Sequence, residues 1–234
     1  DDIDLPYVDE AATGLVAPPL NRLVPTAGRC QHLVEQVLVG VGDSRRLDAV
    51  DRAVEDDDVV GALREALERL NQGLDQRFRD GVDIQQLVEA RAWAVDHLLR
   101  TTWTALMADA GPMALLAVGG FGRGHLHPHS DIDLLLLHEA EELMDPARQA
   151  VERFITVLWD AGFYLGHSVR TAAECAEDAA ADVVTTTTFM ESRLLAGSRE
   201  LLAGMRSAGL VAPPEYLPAL LEEGAKQVSL RPYI

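Results

Sequence analysis

The sequence is short of aromatic side chains, 5% of 234 residues, and holds two cysteines, Cys30 and Cys175. The two lie far apart and show no metal-ligand spacing. They read as reduced, buried thiols rather than a disulfide framework or a zinc site. No apolar run approaches the roughly 18 residues that cross a bilayer, which argues against a membrane role. The chain opens on Asp1-Asp2 and carries no basic secretory segment, so a cytoplasmic setting is expected. Positive charge is also scarce. Lys and Arg number 20 against 38 Asp and Glu, a net charge of -18. A nucleic-acid partner calls for a basic surface, so that class is excluded. A nucleotide could be held only by local devices: a metal, glycine amides and a few arginines. Apolar residues are abundant, at 48%, and the length suits one large domain or two small ones.

The most informative stretch is ALLAVGGFGRGHLHPHSDIDLLLLH, residues 114–138. Residues 114–118 form an apolar run of strand length. Gly119-Gly120 break it, a polar loop over residues 121–130 follows, and Asp131-Ile132-Asp133 leads into four leucines. Continuous apolar sequence suits a strand covered on both faces. Residues two apart on a strand share a face, roughly 6.5–7 Å apart. Asp131 and Asp133 are therefore expected to project side by side at a sheet edge. Carboxylates that close repel unless a cation lies between them. Magnesium, or manganese in its place, suits one or two carboxylates completed by substrate phosphates. The glycine pair admits close backbone approach, and amides at such a turn favour an anion. The pattern implies a metal–phosphate site. His125, His127 and His129 alternate in the loop but read as solvated rather than as a metal cluster.

Around this centre the chain divides into three expected parts: an irregular and helical arm, 1–56; the α/β unit with its leading helices, 57–204; and a helical piece with a Pro-rich tail, 205–234. The arm holds a second Asp-x-Asp, Asp2-Ile3-Asp4, with no glycine turn before it and no strand after it. A helix is predicted over residues 26–39. Another runs from an Asp56–Asp58 cap to about Asn71, with Leu63, Leu67 and Leu70 inward and Gly73 past its end. Asp83 with Gln86 has capping-box spacing and starts a long helix that buries Ile84, Leu87, Val88, Val95, Leu98, Leu99 and Trp103 and ends near Gly111-Pro112. His97 within it reads as a packing or surface residue. Asp145-Pro146 opens a further helix, with the proline at its first position. Residues 163–170 alternate as a third strand. Thr171 with Glu174 forms another capping box. Asp182 caps a helix predicted over 183–196 and closed by Gly197, with Thr185 to Thr188 on a polar or ligand-facing side. The fold class is α+β: a small mixed sheet flanked by helices, with a helical N-terminal arm.

The string Val118-Gly119-Gly120, ten residues, Asp131-Ile132-Asp133-Leu134 resembles the signature of the polymerase-β-like nucleotidyltransferase superfamily. Gly119 to Gly124, Pro128 to Leu135, Gly166 to Thr171 and Glu191 to Gly197 are further similar to the PII uridylyltransferase/uridylyl-removing family, as are Arg77-Phe78, Gly81, Asp83 and Arg91 upstream. The resemblance covers residues 63–204. It implies transfer of UMP from UTP to a tyrosine of the signalling protein PII, with release of pyrophosphate. It also implies Asp131 and Asp133 as catalytic metal ligands for Mg2+, and Gly119, Gly120, Arg123 and Ser130 as nucleotide-binding residues. Two such carboxylates can hold two metals on the order of 4 Å apart. Many superfamily members carry a third carboxylate on a later strand. None occurs over residues 164–170, where His167 and Ser168 stand instead. The family's HD-type removal domain has no counterpart, since no His-Asp dipeptide occurs, so the sequence reads as a fragment. Two other readings remain: an adenylyltransferase-type enzyme acting on another protein or small molecule, and a non-catalytic module that binds nucleotide or PII.

Overall fold

The computed structural model describes residues 58–140, 142–208, 218 and 220–222. In chain order its elements are α1 (Val59–Arg79), α2 (Ile84–Leu106), β1 (Met113–Ala117), the single turn α3 (Gly119–Gly122), β2 (Ile132–His138), α4 (Ala147–Asp160), β3 (Leu165–Arg170), α5 (Ala172–Ala181), α6 (Val183–Met190), β4 (Arg193–Gly197) and α7 (Arg199–Ser207). The helix expected over 26–39, Cys30 and the Asp2-Ile3-Asp4 triplet lie outside the described residues.

Asp58 caps α1, its Oδ1 accepting from the Gly61 amide at 3.1 Å. The helix runs past the stop expected at Gly73, because Leu74 continues the buried stripe of Leu63, Leu67 and Leu70. Burying a leucine is worth about 2 kcal/mol, more than the roughly 1 kcal/mol that an interior glycine costs. Asp83 caps α2 as predicted, accepting from the amides of Gln85 and Gln86 at 3.0 and 3.3 Å. Ile84, expected inward, is instead 49% exposed in the first turn of α2. That helix ends at Met107, short of Gly111-Pro112. His97 stacks on Trp93 with ring centroids 6.3 Å apart, the packing role expected of it.

The sheet order is β3-β2-β1-β4. β1 is antiparallel to β2 and to β4, while β2 and β3 run parallel through the α4 crossover. Pro146 sits at the cap of α4 rather than at its first helical position, and Asp145 pairs with Arg148 instead of capping. The sequence predicts one helix across 183–196, but α6 stops at Met190 and β4 follows. The stretch 183–196 contains no glycine or proline, so nothing local marks the break. Non-local pairing decides it: β1 is wholly buried and would otherwise lack a partner on that side. Gly197 then closes β4 at φ +85, with Met113 O 2.1 Å from where a Cβ would lie.

Alternation along β2 divides the core. Ile132, Leu134 and Leu136 join the larger cluster, with Leu63, Leu99 and Phe154 from α1, α2 and α4. Leu135 and Leu137 join the smaller one, with Cys175, Phe189 and Met205 from α5, α6 and α7. Asp133 shares the face of Leu135 and Leu137, at the open end of that second layer.

Candidate functional site

The two carboxylates fall where β2 begins. Asp131 is the last residue before the strand, Asp133 its second member, and both are exposed while Ile132 between them is buried. On the two-residue period of an extended chain they share a side. Burial, and then the like charge of Asp131, push the Asp133 carboxyl above the ordinary carboxylate range.

Two glycines leave room around Asp133. Gly119 follows β1 at φ +59, in the left-handed region that glycine adopts without strain, and a Cβ there would stand 3.5 Å from Asp133 Oδ2. Gly166 is the register partner of Asp133 on β3, and a Cβ there would come within 3.0 Å of its Oδ1. The Val118 amide donates to Asp133 O at 3.1 Å, so the start of the glycine turn is tied to the carboxylate strand. The glycine pair does not open the loop directly, as the sequence suggests. It forms the helical turn α3, with Gly122 N donating to Val118 O at 3.0 Å.

Arg123 caps that turn and ion-pairs with Glu191; one of its guanidinium nitrogens lies 3.7 Å from where a Gly120 Cβ would be. Ser130 is exposed beside Asp131, its amide donating to His127 O at 3.2 Å, and it lines a cavity on the α1–α2 side. On β3 the carboxylate face carries Gly166, Ser168 and Arg170, and Arg170 pairs with Asp178 at 3.1 Å. His167 faces the other way and packs edge-on against Trp159, centroids 5.4 Å apart. No third carboxylate therefore comes from β3. Among the described residues no group of three or more His, Cys, Asp or Glu is arranged to hold a metal, and the alternating loop histidines form no such cluster. Thr185 to Thr188 spend their hydroxyls on the Asp182 cap and on backbone carbonyls; they circle the helix, and Thr186 is buried.

Some residues that shape the site have no role in the sequence reading. Arg193 on β4 donates to Phe121 O at 3.0 Å and to Gly122 O at 3.2 Å, and its guanidinium lies 5.6 Å from the Phe121 ring centroid. Asp96 of α2 holds the same guanidinium by two bonds; the pair's side chains are 20% and 14% exposed. Gly122 touches the α6–β4 link so closely that a Cβ would meet Glu191 O at 2.2 Å. Glu191-Ser192-Arg193 was visible as a string, but its purpose requires the β4 pairing that periodicity conceals.

Two neighbouring carboxylates, with the Asp133 carboxyl raised, flanked by bare glycines and a turn of backbone amides, would suit a divalent cation carrying phosphates. Asp131 and Asp133 would hold it, and the α3 turn would meet the phosphates.

Residues 67–176 match a family described as "Putative nucleotidyltransferase DUF294". The chain is 52% identical over 144 residues to a bifunctional uridylyltransferase/uridylyl-removing enzyme of Pseudomonas putida, and 51% identical over 143 residues to that of a second strain. It is 47% identical over 147 residues to the enzyme of the same description from Stutzerimonas stutzeri. These matches cover 61%, 61% and 62% of this chain and 16% of each relative, so the chain spans about a sixth of the length of the curated relatives it matches. No described helix is long and apolar enough to cross a membrane.

Proposed function

We propose, for a chain that carries a DUF294 nucleotidyltransferase domain across residues 67–176, that it transfers UMP from UTP to a tyrosine of a PII signalling protein. The observation that supports nucleotidyl transfer is the pairing of Asp131 and Asp133 at the start of β2 with the glycine turn before them. The uridylyl specificity is taken from the relatives' description, and the PII acceptor from the family resemblance of the sequence.

In this reading a tyrosine oxygen bonds to the α-phosphorus of UTP while the bond from that phosphorus to the β-phosphate oxygen breaks. Pyrophosphate leaves and the hydroxyl proton passes to solvent. Asp131 and Asp133 hold Mg2+ or Mn2+, which when bound neutralises triphosphate charge and stabilises the leaving oxygen. The amides of Gly119 and Gly120 approach the triphosphate unobstructed by side chains. Arg123 exchanges its exposed pairing with Glu191 for phosphate oxygens, a bidentate partner for a planar guanidinium. Ser130 lines the cavity on the other side of β2 and is given no contact with the triphosphate.

The test is incubation of the chain with radiolabelled UTP or ATP, magnesium and purified PII. Label on PII from UTP alone is the expected result. Label from ATP, or on another protein, would replace the proposal with an adenylyltransferase activity. Nucleotide binding without transfer would leave a binding module. Asp131→Asn and Asp133→Asn remove ligand charge at nearly constant volume, and each is expected to abolish transfer while the circular dichroism spectrum stays unchanged. Undiminished transfer in either variant removes the basis of the reading.

A further inference from the structure

On the far side of β2 from Asp133, between α1, α2 and the loop before β2, lies a cavity of about 500 Å3. That size suits a small organic ligand. Its wall is mostly apolar, and Leu74 and Leu87 form part of it. Three of the large apolar side chains that stay exposed line this one cavity: Phe78, Ile84 and Tyr164, 60%, 49% and 73% exposed. Their convergence is unlike singly scattered surface apolar residues, which need no explanation.

Into this apolar wall the fold brings one guanidinium, that of Arg91. One of its terminal nitrogens donates to Asn71 Oδ1, while Nε is buried and has no hydrogen-bond partner. Burial lowers the Arg91 pKa, and the charge of Asp75 offsets this only in part. A part-buried guanidinium with an unpaired N–H, beside the single carboxylate of Asp75 in the same wall, favours a further anionic group that can accept from it. The sequence elements Phe78, Gly81, Asp83 and Arg91, which the transfer chemistry leaves unused, gain a purpose here. Phe78 and Arg91 line the cavity, Gly81 at φ +85 turns the chain between the helices, and Asp83 caps α2. The opposite wall includes Ser130 and Ile132, the neighbours of Asp131 on either side, so an occupant would press on the carboxylate edge from behind.

We propose that this cavity is a second ligand site, one that takes a small amphiphilic anion: an alkyl or aryl body among the α1 and α2 leucines and a carboxylate head on Arg91. Its occupancy is read in the absence of nucleotide and metal.

The test uses the full chain without nucleotide or metal, titrated with anilinonaphthalene sulfonate, an aromatic anion that fluoresces when desolvated. One dye per chain is expected. Octanoate should displace it, and octylammonium should compete at least about tenfold less well. Octyl phosphate serves as the other anionic head, and displacement by it alone would overturn the carboxylate assignment. Arg91→Met should weaken dye and octanoate by about tenfold or more. Should that variant fold poorly, Ile84 supplies an exposed position that the core does not need. Ile84→Glu should weaken binding and Ile84→Lys should not. The proposal is overturned if the dye fails to saturate, if octylammonium competes as well as octanoate, or if the Ile84 pair and a folded Arg91→Met all bind as the parent does.

Discussion

Replacing Arg193 by methionine tests the idea that the glycine turn is held in place by a guanidinium from the edge strand. Methionine keeps most of the length and removes the charge. It deletes two bonds to Asp96 and those to the carbonyls of Phe121 and Gly122. With the pair's side chains 20% and 14% exposed, solvent can do little for the carboxylate left behind. Breaking a pair this buried by removing one partner costs about 3–5 kcal/mol, most of it the penalty of the orphaned charge. Replacing both members, Asp96→Leu with Arg193→Met, should cost clearly less than the single change, because no charge then stays behind. The pH dependence has a definite sign. Burial already raises the Asp96 pKa despite the opposing pull of Arg193. In Arg193→Met that pull is gone, so the folded-state pKa rises further above the unfolded value. The folded state then binds the extra proton, and stability present in acid is lost as pH rises through the folded pKa. The single variant should therefore be closer to the parent at about pH 5 than at about pH 8. Urea unfolding followed by circular dichroism, at both pH values and for the double variant, gives all three comparisons. A loss under about 1 kcal/mol for Arg193→Met at neutral pH, or a double variant as costly as the two single changes summed, would refute the reasoning.

Gly122→Ala sets a Cβ 2.2 Å from Glu191 O and 3.1 Å from Ala117 O, both backbone atoms that no rotamer change can move. A cost of about 1–3 kcal/mol in urea unfolding is expected, with weakened nucleotide binding by equilibrium dialysis, and a variant as stable as the parent would contradict the packing. In Glu174→Gln the acid limb of the stability profile should flatten. The Thr171 amide and hydroxyl hold the Glu174 carboxyl below its ordinary pKa, so its contribution is complete above the unfolded value and is lost as pH falls through the folded one. Unfolding scans between about pH 6 and pH 3 would show parent and variant converging in acid, and parallel profiles would refute this. Cys175 is fully buried and its thiol is pushed up to about 11, chiefly by burial, so in a Cys30→Ser background it should resist a disulfide reagent until urea unfolds the chain. Rapid labelling of the native variant would show that the α5 layer opens.

Much of this was legible in the sequence because the signals were local. The caps at Asp58, Asp83, Thr171 and Asp182 are read from two or three residues each, and all four residues cap their helices, with the full reciprocal box at Thr171 and Glu174. The two-residue period around Ile132 predicts both carboxylates on one side of a strand, and both are exposed around a buried Ile132. The errors arose where distant partners decide the outcome. Arg193-Leu194-Leu195-Ala196 has good helix formers and no break before it, yet a buried β1 claims it as a strand. Gly73 has the form of a helix stop, and one more leucine overrules it. The clamp of Asp96 on Arg193 joins residues 97 apart in sequence, and no pattern within one element announces it.

The carboxylates also inherit a property from where their strand sits. β2 lies inside the sheet, laced to β1 on one side and to β3 on the other, with Ile132 N donating to Tyr164 O at 2.8 Å just ahead of the β3 pairing. An interior strand of this kind opens only when the whole sheet does. Backbone amides from 134 to 137 should be among the slowest of the chain to exchange with deuterium. On warming, the proposed grip on a cation and the fold itself should vanish at one temperature, with no folded stage in which the acidic pair has come undone.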